Sequence, residues 1–173
     1  MPAYFEAPTL VTSMFLHGSW MHVIGNMLYL WIFGDNVEDR MGHGRFVIFY
    51  LLTGFVAAYG QIVMDPTSTL PTIGASGAIA GVMGAYLVLY PESRVLTVVT
   101  LLFFWEVVEV PAIFLLGFWF VMQLFSAGAI AATAQSAQGG VAFAAHVAGF
   151  VAGAAGVFVF RKREAPDARW RAF

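Results

Sequence analysis

All eight Lys and Arg residues fall in three places: Arg40 and Arg45, Arg94, and the tail Arg161, Lys162, Arg163, Arg169 and Arg171. Residues 1–39, 46–93 and 95–160 contain no basic residue at all. Few soluble folds could use such stretches. With 60 % hydrophobic residues, 10 % charged residues and a mean hydropathy of +0.80, the chain belongs in a bilayer. Cytoplasmic segments collect Lys and Arg, so the three basic places are expected on the cytoplasmic face. The stretches near 1–16, 60–75 and 127–140 then lie outside, and the number of spans is odd. Cysteine is absent, so there is neither a disulfide nor a thiolate metal site.

Five apolar segments satisfy this pattern. Residues 1–13 have no basic n-region and read as an external loop, not a signal peptide. Segment one runs about Met14–Phe33, and the polar residues 34–45 form an inner loop. Segment two covers about Phe46–Met64, followed by the outer loop Asp65-Pro66-Thr67-Ser68-Thr69. Segment three is Ala75–Tyr90, closed by Pro91, and Val95–Trp105 is too short to span and reads as interfacial. Segments four and five are about Pro111–Ala132 and Val141–Phe160. The expected fold is an all-α polytopic membrane helical bundle with a transmembrane domain over 1–160 and a basic cytoplasmic tail over 161–173. No inverted repeat of the transporter kind is visible.

Segment three is the unusual one. Its length from Ala75 to Tyr90 corresponds to roughly 24 Å of helix, against a hydrocarbon core about 30 Å thick. Anchored at the inner interface by Tyr90 and Pro91, it must begin below the outer one. That puts Ser76 inside the membrane plane, where irregular backbone is tolerated only beside a polar cavity. Ser76 stands between Gly74 and Gly77 at the head of the run. It is either a nucleophile beside free helix N–H groups or a small residue that lets helices touch.

Other polar residues lie at matching depth, where ionisable groups are costly. His22 and Asn26 are spaced i,i+4 and share a helix face, whereas His17 falls about 100° or more away and is expected to point elsewhere. His146 lies near the start of segment five, level with Ser76. Gly149 and Gly153 share its face, and Gly77, Gly81 and Gly84 lie on or beside the face of Ser76. Packing the two glycine faces would bring Ser76 and His146 within hydrogen-bonding reach. Two other readings stay open. His17, His22 and His146 could bind zinc, although their spacing is not that of a helical ligand pair and no Glu lies at that depth. The same side chains could line a transport path, although carboxylates and paired broken helices are missing.

Three separated motifs, His17-Gly18-Ser19-Trp20-Met21-His22-Val23-Ile24-Gly25-Asn26, Gly74-Ala75-Ser76-Gly77 and His146-Val147-Ala148-Gly149, resemble those of the rhomboid intramembrane serine proteases. The resemblance covers roughly residues 8–160. It implies a dyad without a carboxylate, with Ser76 as nucleophile and His146 as general base and then acid. It also implies an oxyanion hole from the Ser76 N–H with the His22 and Asn26 side chains. His17, Gly74, Gly77, Gly149 and Gly153 would be structural, as would Glu38 and Gly42 in the inner loop. The implied partners are transmembrane protein substrates, cut after a small residue, within the bilayer of a bacterial or archaeal plasma membrane. No metal, organic cofactor or nucleic acid is expected. Two departures follow. The family core has six spans and this chain begins after the first, so an incomplete copy is expected. Many members also carry an aromatic four residues after the serine, stacked on the histidine, where this chain has Ala80. A pseudoprotease that binds transmembrane clients is the non-enzyme alternative.

Overall fold

The computed structural model describes residues 7–66, 71–101, 104–133 and 142–162. Residues 1–6, 67–70, 102–103, 134–141 and 163–173, which include most of the two expected outer loops and of the basic tail, lie outside the described residues. Five long helices make up a polytopic membrane bundle, as expected from the segments. They are α2 (Trp20–Met41), α3 (His43–Met64), α4 (Ser76–Leu89), α5 (Ala112–Thr133) and α6 (Phe143–Phe160). Among them α3, α5 over Ala112–Ile130 and α6 are long and apolar enough to cross a membrane, while α4 is apolar but shorter.

Three local readings change. Part of the expected N-terminal loop is a short helix, α1 (Ala7–Ser13). The first long helix starts at Trp20, not near Met14, because Ser19 caps it: its hydroxyl accepts the His22 backbone N–H at 3.2 Å. At its other end α2 runs on through the polar stretch 34–41, expected as a loop, and stops at Gly42. A φ of +84° there favours glycine and turns the chain into α3. Glu38, one turn before that break, pairs with the His43 ring.

The third change is a β-hairpin. Arg94–Leu101 (β1) and Phe104–Pro111 (β2) pair antiparallel, from Arg94 opposite Pro111 to Leu101 opposite Phe104. Among the described residues the bundle is therefore all-α except for this ribbon, which occupies the stretch read as interfacial. Its β-branched residues favour strand over helix, and Leu96, Val98, Trp105 and Val107 are exposed on one face. The hairpin neck also caps α5, since the Ala112 and Ile113 N–H groups donate to the Ser93 and Pro91 carbonyls at 2.7 and 3.2 Å.

α4 is the axis of the bundle. Every residue from Ala78 to Tyr86 is buried, as a helix apolar on all sides requires. It lies against α6 at backbone distance. A Cβ at Gly153 would fall 1.8 Å from the Gly81 carbonyl oxygen, and one at Gly149 would fall 2.1 Å from that of Gly77. A Cβ at Gly84 would meet the Phe150 carbonyl oxygen at 2.1 Å. In lipid, where apolar surface gives no drive to associate, such close approach is what holds two helices together. Away from this seam Phe33, Val37, Met41, Phe49, Val82, Met83, Tyr86 and Leu116 belong to one core. At the basic end the start of the tail joins α2: the Lys162 N–H donates to the Arg40 carbonyl at 2.7 Å, and its Nζ donates to that of Asp39 at 3.2 Å.

Candidate active site

The α4–α6 seam carries Ser76 and His146 at the end of the bundle opposite the basic residues. Ser76 is the first residue of α4, and His146 lies one turn into α6. The Ser76 hydroxyl is hydrogen-bonded to His146 Nε2 at 2.8 Å. The glycine contacts Gly77–Gly149 and Gly81–Gly153 run directly below and fix the spacing of the two helices.

The turn before Ser76 is shaped by Gly74, whose φ of +116° suits glycine. Its N–H donates to the Ser13 carbonyl at 2.9 Å, tying the end of α1 to the site. A side chain there would also collide with its neighbour, since a Cβ would come within 2.6 Å of His22 Cε1. His22 and Asn26, one turn apart on α2, therefore face the backbone that leads into Ser76. Asn26 is 7 % exposed, and its side-chain Nδ2 is buried with no hydrogen-bond partner among the described residues. An orphaned buried donor is costly and calls for an explanation.

His17 is placed differently from expectation. It precedes the Ser19 cap and is not on the helix, so helical geometry does not separate it from His22. The two rings meet edge to face with centroids 5.0 Å apart. Among the described residues, no three His, Asp or Glu side chains are grouped as metal ligands. A cavity of about 620 Å³ opens over the site, lined by His22, Asn26, Gln61, Gly74, Ser76 and His146 among others. It reaches Ser76 at the depth where the short helix α4 begins.

Two contacts on the His146 ring come from α5 and were not foreseen. Nδ1 lies 2.8 Å from Gln123 Oε1, and the Trp119 ring sits 5.8 Å away, centroid to centroid, at an interplanar angle of 35°. The aromatic contact absent at Ala80 is thus provided by another helix. The available signal was Gln123 itself, an amide within an uncharged apolar span, where polar side chains are expensive.

A serine hydroxyl bonded to a buried imidazole, under a cavity in a membrane bundle, can be compared with known proteins. The chain is 39 % identical over 85 residues to Rhomboid protease GluP of Bacillus subtilis, covering 49 % of this chain and 16 % of the relative. It is 33 % identical over 78 residues to the putative rhomboid protease YdcA of the same species, covering 45 % and 39 %. Rhomboid protein 1, mitochondrial, of Saccharomyces cerevisiae is 30 % identical over 92 residues, covering 51 % and 27 %. The matches thus span well under half the length of these relatives. The Rhomboid domain profile, by contrast, matches residues 4–163, nearly the whole sequence and every helix of the bundle. On that match this multi-pass integral membrane protein belongs to the rhomboid family.

Proposed function

We propose that the protein is an intramembrane serine endopeptidase that cleaves transmembrane segments with a Ser76–His146 dyad. The observation that carries this reading is the 2.8 Å hydrogen bond from Ser76 Oγ to His146 Nε2 beneath the cavity. Membership of a family that includes proteases supports it.

In this mechanism His146 Nε2 takes the hydroxyl proton as Ser76 Oγ attacks the scissile carbonyl carbon. The resulting oxyanion is held by the Ser76 N–H, a helix-terminal donor without an intrahelical partner, together with His22 and Asn26. The unpaired Asn26 Nδ2 fits this role, because a donor waiting for a charge that develops later has no ground-state partner. Protonated His146 then gives its proton to the leaving amine, and the acyl bond to Ser76 remains. Water from the cavity, deprotonated by His146, attacks that ester and frees the enzyme. The substrates in this reading are transmembrane proteins cut after a small residue, as the family resemblance implies. The basic residues at the far end of the bundle support a cytoplasmic position for that end and for the 161–173 tail, and the membrane in this reading is a bacterial or archaeal plasma membrane.

A serine-directed fluorophosphonate distinguishes this enzyme from a client-binding pseudoprotease. Ser76 is expected to be labelled in the wild-type protein, with labelling lost in Ser76→Ala. A folded protein that takes no label at Ser76 would support the pseudoprotease. Asn26→Ala should lower kcat about 10²–10³-fold, as for loss of one oxyanion donor, and still leave measurable cleavage of a transmembrane substrate. An unchanged kcat would remove Asn26 from the oxyanion hole.

A further inference from the structure

The His146 ring has a second hydrogen bond, and it crosses to a different helix. Gln123 Oε1 lies 2.8 Å from Nδ1. A carbonyl oxygen only accepts, so Nδ1 must carry the proton, and Nε2 is left with the lone pair that faces Ser76. One turn earlier on α5, Trp119 packs its ring against the same imidazole. Trp119 and Gln123 are spaced i,i+4 and so reach it from one helix face. That face is the exception on α5, for Phe114, Phe118 and Phe125 are largely exposed on the outside of the bundle. An amide carries desolvation cost within an apolar span and persists there only when satisfied. Here its partner is the imidazole.

We propose that Gln123 is the positioning residue of the dyad, holding His146 in the tautomer and orientation that let Nε2 accept the Ser76 proton. The proposal rests on the Ser76–His146 reading and adds a third member to it. Gln123 touches neither the substrate nor Ser76 and acts through the imidazole. An amide cannot offer the imidazolium a full negative charge. Its contribution is therefore tautomer and aim, and should be smaller than the roughly 10⁴-fold effect known for a carboxylate orienter.

The test compares Gln123→Met, similar in length but with no oxygen acceptor, with Gln123→Glu, which keeps one. Both are measured as full-length protein in detergent or vesicles on a transmembrane substrate, beside Ser76→Ala. Gln123→Met should lower kcat about 10–100-fold with KM nearly unchanged, and Gln123→Glu should recover most of that loss. Nitrogen-15 spectra of ring-labelled histidine should show His146 protonated at Nδ1 in the wild type and as a mixture of tautomers in Gln123→Met. If Gln123→Met keeps wild-type kcat and the wild-type tautomer per folded molecule while Ser76→Ala is inactive, the dyad stands and the role of Gln123 is refuted. Equal losses of kcat in both Gln123 variants, with the tautomer unchanged, would likewise reduce Gln123 to packing. Cleavage that survives Ser76→Ala would refute the dyad reading and this proposal with it.

Discussion

Ser76→Ala and His146→Ala should each reduce cleavage of a transmembrane substrate by about 10⁴-fold or more, and the double variant should be no worse than either. The reason is the single hydrogen bond joining them. Without the imidazole the hydroxyl has no acceptor for its proton, and without the hydroxyl the imidazole has nothing to activate. Two groups that act only as a pair lose the same activity whichever is removed, so their effects do not add. Single-turnover rates on one substrate, normalised to folded protein, make the comparison. Additive losses would mean that the two side chains act in separate steps. Full activity in Ser76→Ala would mean that the nucleophile lies elsewhere.

The second large effect is on the scaffold. Gly153→Val should prevent the bundle from closing and abolish fluorophosphonate labelling at Ser76. Even the Cβ of that valine would fall 1.8 Å from the Gly81 carbonyl oxygen and 2.4 Å from its carbon. Backbone within a packed helix cannot move aside as a flexible side chain can. The cost should therefore exceed the 1–3 kcal/mol typical of an overpacked core. Gly117→Ala is the control: it has the same residue type, in α5, with nothing within 4 Å of the added methyl. Thermal unfolding in detergent should show a large fall for Gly153→Val and little change for Gly117→Ala. Equal stability of the two would remove the α4–α6 seam as the main fastening of the site.

The seam was legible before any coordinates because spacing alone carries it. Glycines at Gly77, Gly81 and Gly84 on one segment and at Gly149 and Gly153 on another define matching faces, and each face includes one chemical residue. That Ser76 heads a helix shorter than a bilayer was legible for a similar reason, from the run that Pro91 closes. What failed was decided by local backbone chemistry. Ser19 starts α2 late, so His17 stands outside the helix and beside His22, where extrapolated periodicity could not put it. The hairpin was hidden because its first strand, broken only by Thr97 and Thr100 after Arg94, does not alternate regularly, while Glu106 and Glu109 break the pattern of the second. Gln123 and Trp119 were out of reach for another reason: nothing in their own segment says which ring they will meet. Contacts across helices depend on how α5 leans, and the hairpin neck that caps it helps to set that.

The burial of α4 also bears on when activity can begin. During synthesis this helix emerges before α6, which holds both its glycine partners and His146. Alone, its 14 residues extend about 21 Å, too short to cross a hydrocarbon layer about 30 Å thick. It can settle only when α3 and α6 enclose it. The nascent chain therefore carries Ser76 without its imidazole partner until α6 arrives. On the proposed dyad, cleavage would have to wait until α6 has packed against α4 and brought His146 to Ser76.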